Sequence, residues 1–113
     1  EVIPGFIGDN RDAVTIRHLL THSAGLPAYR NYPERLGEDV PPSRRRERVV
    51  QDICALPLEY PPGRGFVYSC LGFILLASIV EMVSGRSLDV FARENIFAPL
   101  GMADTCFTPP PAW

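Results

Sequence analysis

The chain has 113 residues, a formal net charge of -2, and 11 basic against 13 acidic residues. Every basic residue is arginine, so no Schiff-base lysine, Walker-type lysine or Ser-Lys catalytic pair is completed within it. A near-neutral balance also argues against nucleic acid as the main partner, because phosphate binding is driven by a net basic face.

A single domain, residues 1–113, is expected at this size. The 46% hydrophobic content suffices to bury a core, and 12 prolines with 9 glycines predict short elements separated by many breaks. The start, Glu1-Val2-Ile3-Pro4-Gly5, has neither the basic region nor the apolar region of a signal peptide. It lacks an initiating Met and reads as part of a longer product. No compartment follows from it.

Asp9-Asn10-Arg11-Asp12 is a polar turn. Thr15 is placed to cap a helix over Ile16 to about Ser23, with Ile16, Leu19 and Leu20 as its apolar stripe. Gly25 and Pro27 are expected to stop it. Ala28 to Pro42 reads as irregular, either a surface loop or a wall over a cleft. Ser43 is expected to cap a second helix, Arg44 to about Leu56, whose arginines are offset by Glu34, Glu38, Asp39 and Glu47.

Pro57 to Gly65 is a connector, and Phe66-Val67-Tyr68 a short extended piece. Leu71 to Ser84 is apolar nearly all round, as in a buried helix ended by Gly85. Its longest apolar run, Leu71 to Val83, falls short of the roughly 20 residues needed to span a bilayer. Ser87 is expected to cap a fourth helix that Pro99 ends. The prediction is a mainly α unit of about four helices joined by long proline-rich loops, without an antiparallel sheet.

His18 and His22, four apart on the first predicted helix, share one face with ligand-like spacing. Leu19 stands where a metalloprotease helix carries its glutamate base, and no third ligand is suitably spaced. Capping or packing histidines are expected, with no metal or other cofactor. Ser23 lacks the preceding glycine of a nucleophile elbow, and Gly63-Arg64-Gly65 lacks the third glycine of a phosphate loop. Cys54, Cys70 and Cys106 form no CxxC pair. The sequence does not choose a disulfide among them, and buried free thiols are the simpler expectation.

Tyr68-Ser69-Cys70 sits between a glycine-rich turn and a helix start, a junction that exposes side chains to clefts. A tyrosine there is a boundary residue with a satisfied hydroxyl, or, beside cations, a general base.

Val14–Pro27 reads V-T-I-R-H-L-L-T-H-S-A-G-L-P, residues 62–76 read P-G-R-G-F-V-Y-S-C-L-G-F-I-L-L, and residues 99–105 read P-L-G-M-A-D-T. In order and spacing these stretches resemble the serine β-lactamase and penicillin-binding-protein-like family, which also holds D-aminopeptidases, DD-carboxypeptidases and esterases. The resemblance covers about nine-tenths of the chain. It implies acyl transfer: a serine of a Ser-x-x-Lys motif attacks an amide or ester, and water cleaves the acyl-enzyme. Tyr68 matches the tyrosine of the family's Tyr-x-Asn motif, with a proton-handling role. Ser69 matches the variable middle residue and Cys70 the Asn position, both beside substrate. A thiol bonds poorly where Asn offers donors and an acceptor, so an ester or other small acyl substrate is expected over a β-lactam.

The Ser-x-x-Lys motif and the third family motif are both absent from this chain. It therefore reads as the helical region of a larger serine hydrolase, inactive alone, its cut face inviting homodimerisation. The rival reading is a non-catalytic helical binding or scaffolding module of the same lineage.

Overall fold

The computed structural model describes residues 3–37 and 39–111. Glu1 and Val2 of the predicted N-terminal reading, and Glu38 of the predicted charge balance, lie outside the described residues. A 3-10 turn, Arg11–Ala13, precedes five α-helices: α1 Ile16–Leu20, α2 Tyr32–Leu36, α3 Pro42–Ala55, α4 Cys70–Ser84 and α5 Leu88–Ala92. A π turn, Arg93–Phe97, follows α5 directly. Among the described residues there is no β-strand, so the mainly helical reading holds, with one helix more than expected. Two compact units divide the chain, Glu1–Leu76 and Ala77–Trp113, and α4 runs from the first into the second.

In the first unit Thr15 caps α1 as its residue type predicts. Its hydroxyl accepts the His18 amide at 3.2 Å while His18 Nδ1 accepts the Thr15 amide at 3.3 Å. This is a capping box with imidazole in the place usually held by Glu or Gln. The helix stops three residues earlier than Gly25 and Pro27 suggested. His22 adopts φ 56°, its amide donates to the Leu19 carbonyl at 3.3 Å, and the Ser23 amide donates to the His18 carbonyl at 2.9 Å. That pair of bonds is a Schellman closure with histidine in the left-handed position. His18 and His22 therefore do not share a helix face. Gly25 (φ 88°) serves a close crossing instead: its carbonyl accepts the Glu59 amide at 2.7 Å, and a Cβ there would collide with the Tyr60 carbonyl oxygen.

The segment read as irregular contains α2. Pro33 lies in its first turn, where the missing amide costs no helical bond. The Tyr32 hydroxyl donates to Asp52 of α3 at 3.0 Å and Arg35 reaches the same carboxylate at 3.1 Å, fastening α2 to α3. α3 starts at Pro42 rather than after Ser43, again with proline in the first turn. Leu19, Leu26, Ile53, Leu71 and Leu75 are buried and form the core of this unit. Each such side chain contributes about 1.5–3 kcal/mol on leaving water.

Burial of α4 is confined to part of its length. Leu71 and Leu75 are buried, but Val83 near its end is 77% exposed, against the expectation of a helix covered all round. No single helix among the described residues is long and apolar enough to cross a membrane.

In the second unit Gly85 ends α4 at φ 67°, its amide donating to the Glu81 carbonyl at 2.9 Å. Glu81 Oε1 accepts the Leu88 amide at 2.8 Å, doing for α5 what Ser87 was expected to do. Ser87 instead hydrogen-bonds the Asp89 carboxyl, the main influence holding that group below its usual range. The helical path ends at Phe97 with Ala98 as its cap, just ahead of Pro99 as expected. A π turn lies just before it, where the proline ring would crowd the Asn95 carbonyl of a regular helix. Closure comes at Gly101 (φ 67°), whose amide donates to Ala98 at 3.1 Å while Met102 donates to Phe97 at 2.8 Å.

Candidate active site

Tyr68, Ser69 and Cys70 meet at the entry to α4. Ser69 precedes its first residue and caps it: Oγ accepts the Gly72 amide at 3.4 Å and donates to the Pro27 carbonyl at 2.6 Å. The serine is 4% exposed, so its hydroxyl faces the interior of the first unit. The Cys70 amide donates to the Ala28 carbonyl at 2.9 Å, and its thiol is free and exposed. Tyr68 is 67% exposed, and its hydroxyl makes no hydrogen bond among the described residues.

His22 is the residue around which this entry is built. Its carbonyl accepts the Val67 amide at 3.1 Å and the Tyr60 hydroxyl at 3.3 Å. Its Nδ1 accepts the Ser69 amide at 3.1 Å. An imidazole accepting at Nδ1 is neutral with its proton on Nε2. The ring lies 4.5 Å from that of Tyr68 at 34° and 5.1 Å from Phe73 at 27°, with Phe66 edge-on at 6.0 Å. The left-handed backbone at His22 costs about 1–2 kcal/mol, so these contacts offset a local penalty. With Gly63 donating to Ser23 at 2.8 Å and Glu59 to Gly25, they lace the first sequence stretch to the second.

The site as read from sequence thus divides. Tyr68 and Cys70, on either side of Ser69, are exposed, while Ser69 is turned inward. The sequence reading missed His22 in this role, and Phe66 and Phe73 beside it. A histidine between polar residues just ahead of a glycine was the available signal, but it pointed equally to a helix end. No group of three His, Cys, Asp or Glu side chains suited to a metal ion comes together among the described residues.

All three cysteines are free. Only Cys54 is buried, so buried thiols hold for one of the three. Burial pushes its thiol up, against the opposing charge of Arg11. Cys106 lies in the second unit beside a shallow cleft of about 180 Å³ lined by Asp89, Arg93, Phe97 and Phe107. That is below the roughly 300 Å³ of small-molecule pockets.

The family model described as Beta-lactamase matches residues 1–113. The chain belongs to the β-lactamase family. A protein of Escherichia coli (strain K12) named a D-alanyl-D-alanine carboxypeptidase is 37% identical over 113 residues, covering 95% of this chain and 26% of that protein. An N-acetylmuramyl-L-alanine amidase of Bacillus subtilis (strain 168) is 32% identical over 108 residues, covering 94% of this chain and 24% of that one. The crystal structure of a penicillin-binding protein from Bacillus halodurans superposes with a TM-score of 0.69 at 38% identity, over 87% of this chain and 32% of that chain. The chain spans about a quarter of the length of these curated relatives. It is the helical region of the β-lactamase and penicillin-binding-protein fold, from a family of serine-hydrolase type.

Proposed function

We propose that this chain is the helical part of a serine hydrolase that forms and hydrolyses an acyl-enzyme on an amide or ester, such as a β-lactam, a D-amino acid peptide or a small ester. The observation that carries the reading is Tyr68. It matches the family's proton-handling tyrosine, and it stands at the start of α4 with its ring exposed and its hydroxyl unbonded among the described residues. It acts as general base or proton relay toward a serine supplied by the Ser-x-x-Lys motif of the larger enzyme. Cys70, exposed two residues on, takes the substrate-facing place of the family's Asn. Its weak hydrogen bonding favours esters over amides. Ser69 serves the site from inside, holding the turn that presents its two neighbours.

Alone, the chain lacks the nucleophile and is inactive. Incubation with a fluorescent β-lactam or a fluorophosphonate should give no covalent label, and stoichiometric labelling would overturn this. In the full-length enzyme, kcat/KM on a p-nitrophenyl ester should exceed that on a β-lactam, and a strong β-lactam preference would sink the ester reading. Phe66 and Phe73 on the first unit, and Val83 and Leu100 on the second, are exposed apolar surface that the rest of the enzyme covers. The chain on its own therefore associates with itself, and a monomer by light scattering at high concentration would count against that.

A further inference from the structure

We propose that His22 is the positioning residue of this site, holding the Tyr68 phenol in the place from which it relays protons. The inference rests on the reading of Tyr68 above. Both residues that flank Tyr68 give their amide hydrogens to His22: Val67 to its carbonyl at 3.1 Å and Ser69 to its Nδ1 at 3.1 Å. The backbone at Tyr68 cannot rotate without breaking one of the two. The side chain is held as well. An exposed tyrosine ring has its rotamers open to it, and the imidazole lies 4.5 Å from this one at 34°. Phe73, 5.1 Å from the imidazole, backs the histidine in turn.

The residue type supports the same conclusion. His22 ends α1 at φ 56°, a conformation that glycine adopts without strain. A glycine would close the helix equally well. It would supply neither the acceptor for Ser69 nor the ring beside Tyr68. Histidine at this position is explained by what its side chain does for the neighbouring segment rather than by the turn it makes.

The test uses the full-length enzyme with three single variants and their combinations. Tyr68→Phe removes the phenol and should lower kcat by about 10²–10⁴-fold. His22→Phe keeps a ring and removes the acceptor, whereas His22→Asn keeps an acceptor and tolerates the positive φ but removes the ring. Each should lower kcat by about 10–100-fold, the scale of a small misplacement of a catalytic group, with KM changed less than about twofold. In the Tyr68→Phe background either His22 change should cost less than about twofold, because it acts through the phenol. The ¹⁹F resonance of 3-fluorotyrosine at position 68 should broaden or shift in both His22 variants, a readout independent of turnover. Equal losses of kcat in both backgrounds, or an unchanged ¹⁹F resonance, overturns the proposal. If Tyr68→Phe leaves kcat intact, the proton-relay reading has failed, and the ¹⁹F signal alone decides whether His22 positions the ring. Should His22→Phe not fold, His22→Asn carries the same comparison.

Discussion

Arg11 donates from Nη2 to the Leu56 carbonyl oxygen at 2.9 Å, closing the C-terminus of α3 from a turn 45 residues earlier. The same nitrogen reaches the Ala55 carbonyl at 3.4 Å, and Nη1 binds the carbonyls of Ile7 and Gly8 at 3.2 Å. A cation at the negative end of a helix is favoured, and here it is also 8% exposed. Its acidic partner among the described residues, Asp9, is 84% exposed. The carbonyls, not the ion pair, therefore carry the interaction, since surface pairs contribute little. Arg11→Met should destabilise the fold by about 2–3 kcal/mol in urea unfolding, because it removes the charge-assisted bonds to these part-buried carbonyls. Asp9→Asn should leave the midpoint within error, and a large effect of Asp9→Asn with a small one of Arg11→Met would reverse the assignment.

Gly25 and Gly85 share a left-handed backbone, at φ 88° and 67°, but only Gly25 is crowded. An alanine at Gly85 meets open space and should cost about 1 kcal/mol, the left-handed penalty alone. At Gly25 the new methyl meets the Tyr60 carbonyl and forces apart the crossing of the two laced stretches. Gly25→Ala should cost on the order of 3–4 kcal/mol. Thermal melts of the two variants make the comparison; equal shifts would show that the crossing yields.

Tyr32 links the α2–α3 junction to pH. Its phenol is pushed from 10.0 up to about 12, first by burial, then by its hydrogen bond to Asp52 and that carboxylate's charge, with Arg35 and Arg30 opposing. A phenol with a higher pKa folded than unfolded holds its proton more tightly in the native state. Its contribution is complete below pH 10 and is lost as pH rises from there to about 12. Stability should fall over that window, and Tyr32→Phe should flatten the fall while lowering stability at neutral pH. An unchanged alkaline slope in Tyr32→Phe would assign the effect elsewhere.

Three free thiols in different settings give a direct count. Cys70 and Cys106 are exposed and Cys54 is buried with its thiol pushed up. An aromatic disulfide reagent at neutral pH should consume two thiols quickly and the third only on unfolding, since the thiolate is the reactive form. Mass spectrometry of the early product should find Cys54 unmodified; early labelling of Cys54 would contradict its burial.

Features that depend on neighbours a few residues away were legible in the order of the residues. Thr15 announced its helix because a cap acts within one turn. Gly85 marked the end of α4 in the same way. The run from Leu71 to Ser84 is helical as its composition indicated. The family was legible in three stretches, and the absence of lysine showed that no Ser-x-x-Lys motif falls among these 113 residues. The other outcomes turn on contacts made across the fold. Whether Ser69 opens to substrate or turns inward depends on the Pro27 carbonyl, 42 residues earlier. Whether Pro33 breaks a segment or begins α2 depends on Tyr32 finding Asp52. His22 rather than Gly25 ends α1 because its side chain and carbonyl have partners on the strand of chain leading into α4, and those contacts outweigh a local backbone penalty that glycine would have avoided. Partners distant in sequence set these outcomes, and no pattern of neighbours encodes where the chain will return.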